Sequence, residues 1–425
     1  MPQVNHSSAV SRTTGRAARA QTNAVTRLEL ACLKAMKSIE RNGRKGTPPP
    51  MVARNMFYVS AAIADVYSKH GDDPAVAAKV AKSVTAQVLN ALVGQQVMPD
   101  DRLGADIARK HIAAARADGA VDATKPRPAS KPMRHVWTPT NEKGEPITPL
   151  FPSWGLLKPS VEANATVRAK RPSFTDNDWR AFFTAYQTRT PEQIAAAKYW
   201  ADGPGTFTPP GHWCLISQQV GSAAGLSVQQ AAALSKLVNA ALHDAGVSCW
   251  DTKYTYMGER PFQAARRLGI DFKPEIGTPP FPGFTSGHAT FSGAAGQVLG
   301  MYFDKLGKAD VVRKELLGFA QLSETRKAIG AARTATDMFA ALANEAAMSR
   351  VYGGIHIAED GDEGVRVGRQ IGTNVMKHLA TRADLFPTEA NELERRRTGP
   401  VALDTPRGTH PTSRRNDAST TVDWS

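Results

Sequence analysis

Residues 74–88, PAVAAKVAKSVTAQV, place a valine at every fourth position, as Val76, Val80, Val84 and Val88. Valine favours strands, but a four-residue repeat aligns side chains along one face of a helix. Pro74 also suits the first turn of a helix. Because the period outweighs the residue preference, this stretch predicts a helix and favours an all-α fold.

The segments around this stretch have the same helical character. Apolar residues recur at helical spacing from Leu28 to Ile39, and Pro48 to Pro50 open a second helix. Thr190-Pro191 combines a capping residue with a first-turn proline. Further helices are predicted over 175–201, 212–224, 227–245, 287–306, 309–322, 334–349 and 361–382. The sequence contains no convincing run of alternating strand pattern, so the predicted fold class is all-α, with two helical-bundle halves.

Composition shifts along the chain predict its domain organisation. Residues 1–22 are rich in Ser, Thr, Ala and Arg and predict a disordered basic tail. Residues 23–118 predict an N-terminal helical half, and 175–385 a C-terminal helical bundle that holds the functional pocket. The proline-rich stretch 119–174 predicts a connector that is too long for an ordinary turn. Residues 386–425 predict a second disordered tail.

The bulk composition weighs against several classes of protein, although the net charge leaves a basic, nucleic-acid-associated helical protein as an alternative. The chain of 425 residues has a net charge of +14, part of it in the arginine-rich tails. A protein that binds single-stranded nucleic acid would interleave aromatic residues with these charges, and the tails do not. Its three cysteines are scattered and predict neither a disulfide framework nor a metal site. No stretch approaches the ~20 apolar residues of a membrane helix. Met1 to Gln21 lack the apolar core of a secretory signal, so the predicted location is cytoplasmic by default, with export by another route left open.

Three polar clusters in the C-terminal half carry the chemistry. They are Lys253 with Arg260-Pro261, Ser286-Gly287-His288, and Ser349-Arg350 with His356 and Asp360. Together they supply three cations, two imidazoles, a hydroxyl, a glycine amide and a carboxylate. This set suits a tetrahedral or trigonal-bipyramidal oxyanion.

Each cluster also has a simpler interpretation when taken alone. Lys253 and Arg260 would share an exposed basic face if their segment were helical, although Pro261 predicts that the helix ends or kinks there. Ser286 would serve only as a helix N-cap. His356 and Asp360, four residues apart, would form a solvent-exposed pair within an acidic run. The order of all three clusters along one chain is what favours a binding site.

This order resembles the vanadium-dependent haloperoxidases and the acid phosphatases of the type 2 phosphatidic acid phosphatase superfamily, which share the pocket. The segments 199–205 (YWADGPG), 208–213 (TPPGHW) and 349–356 (SRVYGGIH) are similar to bacterial haloperoxidase homologues. The resemblance covers roughly residues 25–385. It implies an all-helical enzyme built around two four-helix bundles, with the cofactor pocket in the second.

The resemblance also implies a vanadate cofactor and its donors. Lys253, Arg260 and Arg350 would neutralise the equatorial oxygens of vanadate. The Ser286 hydroxyl and the Gly287 amide would add hydrogen bonds.

Catalytic roles follow from the same resemblance. His356 would bond to vanadium, and His288 would bind the apical oxygen and act as acid and base. Asp202 would pair with His288, and Asp360 would orient His356. Lys253 would also polarise the bound peroxide.

Two positions bear on halide choice, and two depart from the usual pattern. Phe281 and Trp250 are similar to the residues at these positions in family members that select chloride. Bromide-selective members tend to carry histidine at the Phe281 position. Thr285 stands where proline is usual. Glu259 stands beside Arg260, and its carboxylate would weaken the cationic cage of Lys253, Arg260 and Arg350 if it pointed inward.

The predicted function is therefore a vanadate-dependent haloperoxidase that oxidises halide with hydrogen peroxide to hypohalous acid. The alternative is a soluble acid phosphatase in which His356 is the phosphorylated nucleophile. Hydrogen peroxide and halide are the predicted partners, with an organic halide acceptor or a phosphate ester left open, and no nucleic acid or membrane. The sequence also leaves a homo-oligomer open.

Overall fold

The computed structural model describes residues 23–41 and 44–386. Its helices are α1 Ala24–Ser38, α2 Pro49–His70, α3 Pro74–Val93, α4 Ala105–Arg116, α5 Asp176–Gln187, α6 Pro191–Tyr199, α7 Thr208–Ala223, α8 Val228–Tyr256, α9 Pro261–Leu268, α10 Gly287–Lys305, α11 Ala309–Phe319, α12 Ser323–Ala331, α13 Ala335–Tyr352, α14 Ala358–Leu379 and α15 Arg382–Leu385. Two strands, β1 Glu40–Arg41 and β2 Arg44–Lys45, pair antiparallel with Glu40 opposite Lys45. The all-α prediction is confirmed.

The capping residues explain where several of these helices begin and end. The side chain of Asp73 accepts hydrogen bonds from the backbone N–H groups of Ala75 and Val76 at the start of α3. Gly94 ends α3 in the left-handed conformation, with φ of 68°. Thr190 and Gln193 form a reciprocal capping box at the start of α6, as the sequence predicts.

Helix α8 is the central element of the fold. It is buried over most of its length and packs against α2 on one side and α10 on the other. One continuous hydrophobic cluster includes residues of α1 to α4 as well as residues of α8, α10, α13 and α14. The N-terminal helices therefore support the helix that carries Lys253.

Close packing of α10 against α14 fixes the backbone around the pocket. A Cβ atom at Gly368 would lie 2.3 Å from the carbonyl oxygen of Thr290, and one at Gly293 would lie 2.5 Å from that of Val365. Only glycine allows the two helices to approach this closely. The first turn of α10 and the first turn of α14 are thereby held side by side.

The proline-rich connector packs against α8 and contains only short 3-10 turns, Ala120–Asp122, Trp154–Leu156 and Glu162–Asn164. The carboxylate of Asp244 accepts hydrogen bonds from the backbone N–H groups of Ser160 and Val161 and from the amide of Asn164. Polar groups on α8 thus hold a segment that lacks regular structure. The predicted domain boundaries remain predictions, and the tails 1–22 and 387–425 lie outside the described residues.

Two features depart from the sequence predictions. Helix α8 continues to Tyr256 rather than ending near Ala245, because Gly246 is buried against Phe291 and packing outweighs its low helix propensity. Helices α4, α9, α12 and α15 and the β1–β2 hairpin are additional. The three cysteines are buried, and none of them forms a disulfide. Among the helices of the described ranges, none has the length and hydropathy needed to cross a membrane.

Candidate oxyanion-binding site

His356 lies in the turn between α13 and α14, and both of its ring nitrogens have partners. Nδ1 lies 2.7 Å from Oδ2 of Asp360, and Nε2 lies 3.0 Å from Nη1 of Arg260. Arginine can only donate, so Nε2 accepts and the ring proton is on Nδ1, where it faces the carboxylate. Burial, reinforced by Arg260 and Lys253, lowers the pKa of His356 well below its usual value. The ring is therefore neutral, and its Nε2 lone pair accepts from Arg260.

Arg260 lies at a helix boundary, as Pro261 predicts, but it precedes the additional helix α9, which Pro261 begins. It does not share a helix with Lys253, because α8 ends at Tyr256. Its Nε donates to the carbonyl of Phe281 at 2.9 Å, and its Nη1 donates to the carbonyl of Ile355 at 2.8 Å. Burial lowers the pKa of Arg260 to about 10, so the group remains charged at neutral pH.

One nitrogen of Arg260 is left over. Its Nη2 atom is buried and has no hydrogen-bond partner among the described residues. An unpaired buried guanidinium nitrogen is costly unless a ligand accepts from it. An acceptor bound in the cage would pair with this atom.

Lys253 is fully buried near the end of α8. Its ammonium group donates to the carbonyls of Pro282 at 2.8 Å, Gly283 at 2.7 Å and Thr285 at 2.5 Å. Burial lowers the pKa of Lys253. All three ammonium donors are engaged by the loop before α10, so Lys253 shapes that loop as well as adding charge. Direct contact of Lys253 with an anion remains a prediction.

Ser286 and Gly287 start α10, where unpaired N–H groups and the helix dipole favour an anion. The Ser286 hydroxyl accepts from the N–H of Ala289 at 3.4 Å, so the serine is an N-cap as well as a donor candidate. Its own N–H donates to the carbonyl of Asp360 at 2.9 Å, which links α10 to α14. A Cβ atom at Gly287 would meet only the Trp250 ring at 3.7 Å and Phe291 at 4.0 Å, so packing alone does not require glycine there.

Arg350, near the end of α13, forms the other wall of the cage. It donates to the Ser349 hydroxyl at 3.1 Å, to the carbonyl of Ala197 at 2.9 Å and to that of Ala201 at 3.3 Å. Its Nη1 also lies 3.4 Å from Nε2 of His288. Burial lowers the pKa of Arg350 to about 10. Burial and the neighbouring Arg350 lower the pKa of His288 well below its usual value.

Asp202 lies between two histidines. Its Oδ2 is 3.9 Å from Nε2 of His288, the partner that the resemblance implies, but only 3.1 Å from Nδ1 of His212, so the predicted pairing with His288 remains a prediction. The sequence-based set of site residues does not include His212, although it belongs to the quoted segment 208–213. A second imidazole ten residues from a candidate carboxylate, across a Gly-Pro-Gly turn, is the signal that could have identified it.

The residues predicted to influence halide choice line one side of the cage. The ring of Phe281 lies 4.9 Å from that of Trp250. Lys253 Nζ and the Arg260 guanidinium lie 4.9 Å and 5.1 Å from the centre of the Phe281 ring. Two cations are therefore in contact with one aromatic face.

The two departures from the family pattern have clear structural positions. Glu259 pairs with Arg267, at 2.6 Å from Oε1 to Nη2, and with its Nε at 3.2 Å, so the carboxylate is engaged outside the cage. Thr285 is buried, and its carbonyl accepts from Lys253 while its hydroxyl lies 3.4 Å from that of Thr290. Neither side chain removes a donor from the cage.

The electrostatics of the site favour an anion. Three buried basic side chains, Lys253, Arg260 and Arg350, lie near the buried carboxylate of Asp360 and the nearly buried carboxylate of Asp202. Burial raises the pKa of Asp360, whereas Lys253 and Arg260 oppose that rise. In the part of the chain that the structure describes, no group of three or more His, Cys, Asp or Glu side chains could hold a metal ion. The basic donor set suits an oxyanion.

Comparisons with known proteins agree with this geometry. Residues 268–384 match the family model of the VCPO second helical-bundle domain. The vanadium chloroperoxidase of Curvularia inaequalis is 32% identical over 146 residues, an alignment that covers 27% of this chain and 24% of that protein. The match thus spans about a quarter of the length of that relative.

Solved structures extend the likeness to most of the chain at the level of the fold. The crystal structure of a bacterial vanadium-dependent iodoperoxidase has a TM-score of 0.62 at 20% identity, over 83% of this chain and 96% of that chain. A holo-type bacterial vanadium-dependent chloroperoxidase gives a TM-score of 0.55 at 15% identity, over 77% of this chain and 92% of that chain. The chain therefore has the helical fold of these haloperoxidases, which confirms the predicted resemblance.

Proposed function

We propose that this protein is a vanadate-dependent haloperoxidase, which oxidises halide with hydrogen peroxide to hypohalous acid. The observation that carries the proposal is the neutral Nε2 of His356 within a cage of buried cations, with Nη2 of Arg260 left without an acceptor. An oxyanion bonded to this nitrogen would displace the arginine as its partner, and its oxygens would then accept from the arginine. The match of residues 268–384 to the VCPO domain supports vanadate as that oxyanion.

The residues present fit vanadate. His356 would supply the bond to vanadium, with Asp360 holding the opposite ring nitrogen. Arg260 and Arg350 would hold the oxygens, together with donors from the first turn of α10. Bound vanadate would supply Lewis acidity toward hydrogen peroxide without a change of oxidation state.

His288 is placed to move protons at the open side of the cage. Its pKa is lowered by burial and by Arg350, so the ring is neutral at neutral pH and can accept a proton from hydrogen peroxide. Asp202 and Arg350 flank the same nitrogen, Nε2, and hold opposite charges. Phe281 and Trp250 form the apolar wall against which a weakly hydrated halide would lie.

A soluble acid phosphatase is the second candidate. The same lone pair on Nε2 of His356 suits a nucleophile toward phosphorus, and His288 would then protonate the leaving alkoxide. The cage would stabilise the transferring group in either reaction.

Halide oxidation by the purified protein tests the proposal. The protein is reconstituted with orthovanadate and supplied with peroxide, bromide or chloride, and a halogen-trapping dye. Vanadate-dependent turnover that is lost in His356→Ala, together with the bound vanadium, supports the haloperoxidase. His378→Ala, at an exposed histidine, is the control and should retain both turnover and bound vanadium. The ratio of chloride to bromide turnover in Phe281→His and wild type tests the halide wall.

Other outcomes reassign the protein. Hydrolysis of a phosphate ester that vanadate inhibits, without halide oxidation, would establish the phosphatase. Wild-type vanadium content in His356→Ala would overturn the assignment of the cage.

A further inference from the structure

The closest partner of Asp202 is His212 on α7 rather than His288. Nδ1 of His212 lies 3.2 Å from Oδ1 and 3.1 Å from Oδ2 of the carboxylate. Both side chains are nearly buried, at 11% and 12% exposed. A nitrogen placed between both oxygens restrains the rotation of the carboxylate as well as its position.

His212 is itself held in place by aromatic packing. Its ring is stacked on Trp200, with ring centres 4.6 Å apart and an angle of 26°. It meets Tyr199 edge to face at 5.4 Å. Because these aromatic residues end α6 and His212 lies in the first half of α7, the imidazole is fixed by two helices. It is not a freely rotating surface side chain.

Asp202 lies in the turn between α6 and α7 with φ of 44°, in the left-handed region. Aspartate is one of the few residues that tolerates this conformation. The turn presents the carboxylate to His212 on one side and to the cage on the other. Burial alone raises the pKa of Asp202, but His212, His288 and Arg350 outweigh burial and leave that pKa below its usual value. The carboxylate is therefore ionised.

Besides burial, five groups act on the charge of His288. Arg350 on α13 and His212 disfavour the imidazolium, whereas Asp202 and a hydrogen bond to the backbone of Trp200 favour it. His356, in the turn after α13, is also coupled to it electrostatically. Asp202 is the one charged side chain among these groups that stabilises a proton on His288, and its distance to His288 is 3.9 Å. The rotation of Asp202 therefore decides how strongly this carboxylate acts.

We propose that His212 is a positioning residue that holds the Asp202 carboxylate back from His288, so that His288 remains neutral and able to take a proton. The role in turnover rests on the proposed function, whereas the effect on His288 protonation does not. Without the His212 donor, the carboxylate would be free to turn toward Arg350 and toward Nε2 of His288, which accepts from Arg350 while the ring is neutral. It would then stabilise an imidazolium at His288.

The test is the titration of the His288 ring, followed by NMR in the vanadate-free protein. In His212→Phe the midpoint for His288 should rise by about one pH unit, as expected for an opposite charge brought within hydrogen-bonding reach. In Asp202→Asn the midpoint should fall below that of the wild type. In the double variant, the rise caused by His212→Phe should disappear, because there is no carboxylate to release. A purely structural role for His212 would not produce opposite shifts of this kind.

Two further variants separate loss of the donor from loss of the fold. His212→Asn keeps an N–H group near the position of Nδ1 and should titrate as the wild type. His212→Gln places the N–H group elsewhere and should titrate higher. The matched control is His111→Phe, which removes the histidine of another His–Asp pair, buried His111 Nε2 with half-buried Asp65 at 2.9 Å, and should leave His288 unchanged. An unchanged or lower His288 midpoint in both His212→Phe and His212→Gln would overturn the proposal.

The activity measurement is kept separate from this titration. If the protein oxidises halide, the acidic limb of the pH profile of kcat should move up by about the same pH interval in His212→Phe, with vanadate still bound. If the enzyme oxidises halide but the His288 midpoint does not shift, the positioning role of His212 is wrong and the proposed function stands. If the His288 midpoint shifts but no halide is oxidised, the proposed function is wrong and the positioning role stands.

Discussion

The Nδ1 atom of His356 lies 2.7 Å from Oδ2 of Asp360, and both side chains are almost completely buried. The backbone carbonyl of the same aspartate accepts from the N–H of Ser286. Asp360 therefore orients the predicted vanadium ligand and joins it to the helix N-terminus on the other side of the cage. A change at this residue acts on the ligand without removing it.

Asp360→Asn should weaken vanadate binding by about 10- to 100-fold, the usual cost of losing the carboxylate behind a metal-binding histidine. The amide is the same size as the carboxylate, so the fold should be preserved. Equilibrium dialysis against orthovanadate, with vanadium measured in the protein fraction, gives the affinity. An affinity equal to that of the wild type would show that Asp360 serves only the packing of α14.

His288→Ala should keep most of the bound vanadate and lose about 10²- to 10⁴-fold in turnover, because it removes acid–base help but none of the contacts of His356. Turnover and vanadium content are measured on the same preparation. Loss of vanadate in proportion to activity would instead make His288 a binding residue.

Glu259→Gln should leave vanadate affinity within about twofold of the wild type. The carboxylate is bound to Arg267, 2.6 Å away, and it does not contact the predicted anion ligands. The same dialysis measurement checks this expectation. A large gain in affinity would show that Glu259 weakens the cage through its charge, as the sequence had left open.

Lys253→Met should lower the free energy of unfolding by about 3 kcal/mol, because three buried loop carbonyls lose their donor and each costs about 1 kcal/mol or more. Urea denaturation of the vanadate-free protein measures the change. Lys69→Met, which breaks an exposed ion pair with Asp106, is the control and should have no measurable effect. If Lys253→Met lowers the free energy of unfolding only slightly, this lysine acts on the bound anion alone.

Much of the site could be predicted from local spacing. The four-residue interval from His356 to Asp360 predicts a contact within one helical turn, and the structure has it. Ser286 before an alanine- and glycine-rich run predicts the start of α10, where the structure places it. Pro261 predicts that Arg260 lies at a helix boundary. Each of these signals acts within a few residues of the chain.

The rest of the site depends on contacts that have no local signal. The three acceptors of Lys253 are backbone carbonyls about thirty residues away, and a carbonyl is present at every residue. The partner of Glu259 is Arg267, in the last turn of a helix that the sequence did not predict. His212 meets Asp202 because two helices bring them together. Tertiary packing determines which of several chemically equivalent groups becomes the hydrogen-bond or ion-pair partner.

The vanadate-free protein should lose stability as the pH falls below about 6.5, in part through His243. Burial lowers the pKa of this histidine, whose Nε2 lies 3.2 Å from the carbonyl of Lys158 and whose Nδ1 has no hydrogen-bond partner in the described structure. The unfolded chain takes up a proton near pH 6.5, whereas the folded protein does so only at lower pH. The contribution of neutral His243 to the free energy of unfolding is therefore complete above pH 6.5. It is lost as the pH falls toward the folded pKa, by up to about 1.4 kcal/mol per pH unit.

His243→Gln isolates this contribution, because glutamine can keep the hydrogen bond to Lys158 but does not titrate. Its free energy of unfolding, from urea denaturation between pH 5.5 and 8, should fall less steeply with decreasing pH than that of the wild type, by up to one proton equivalent. The buried neighbour Asp244 is present in both proteins, so the difference in slope reports His243. Parallel slopes would mean that the folded protein binds a proton on His243 as readily as the unfolded chain does.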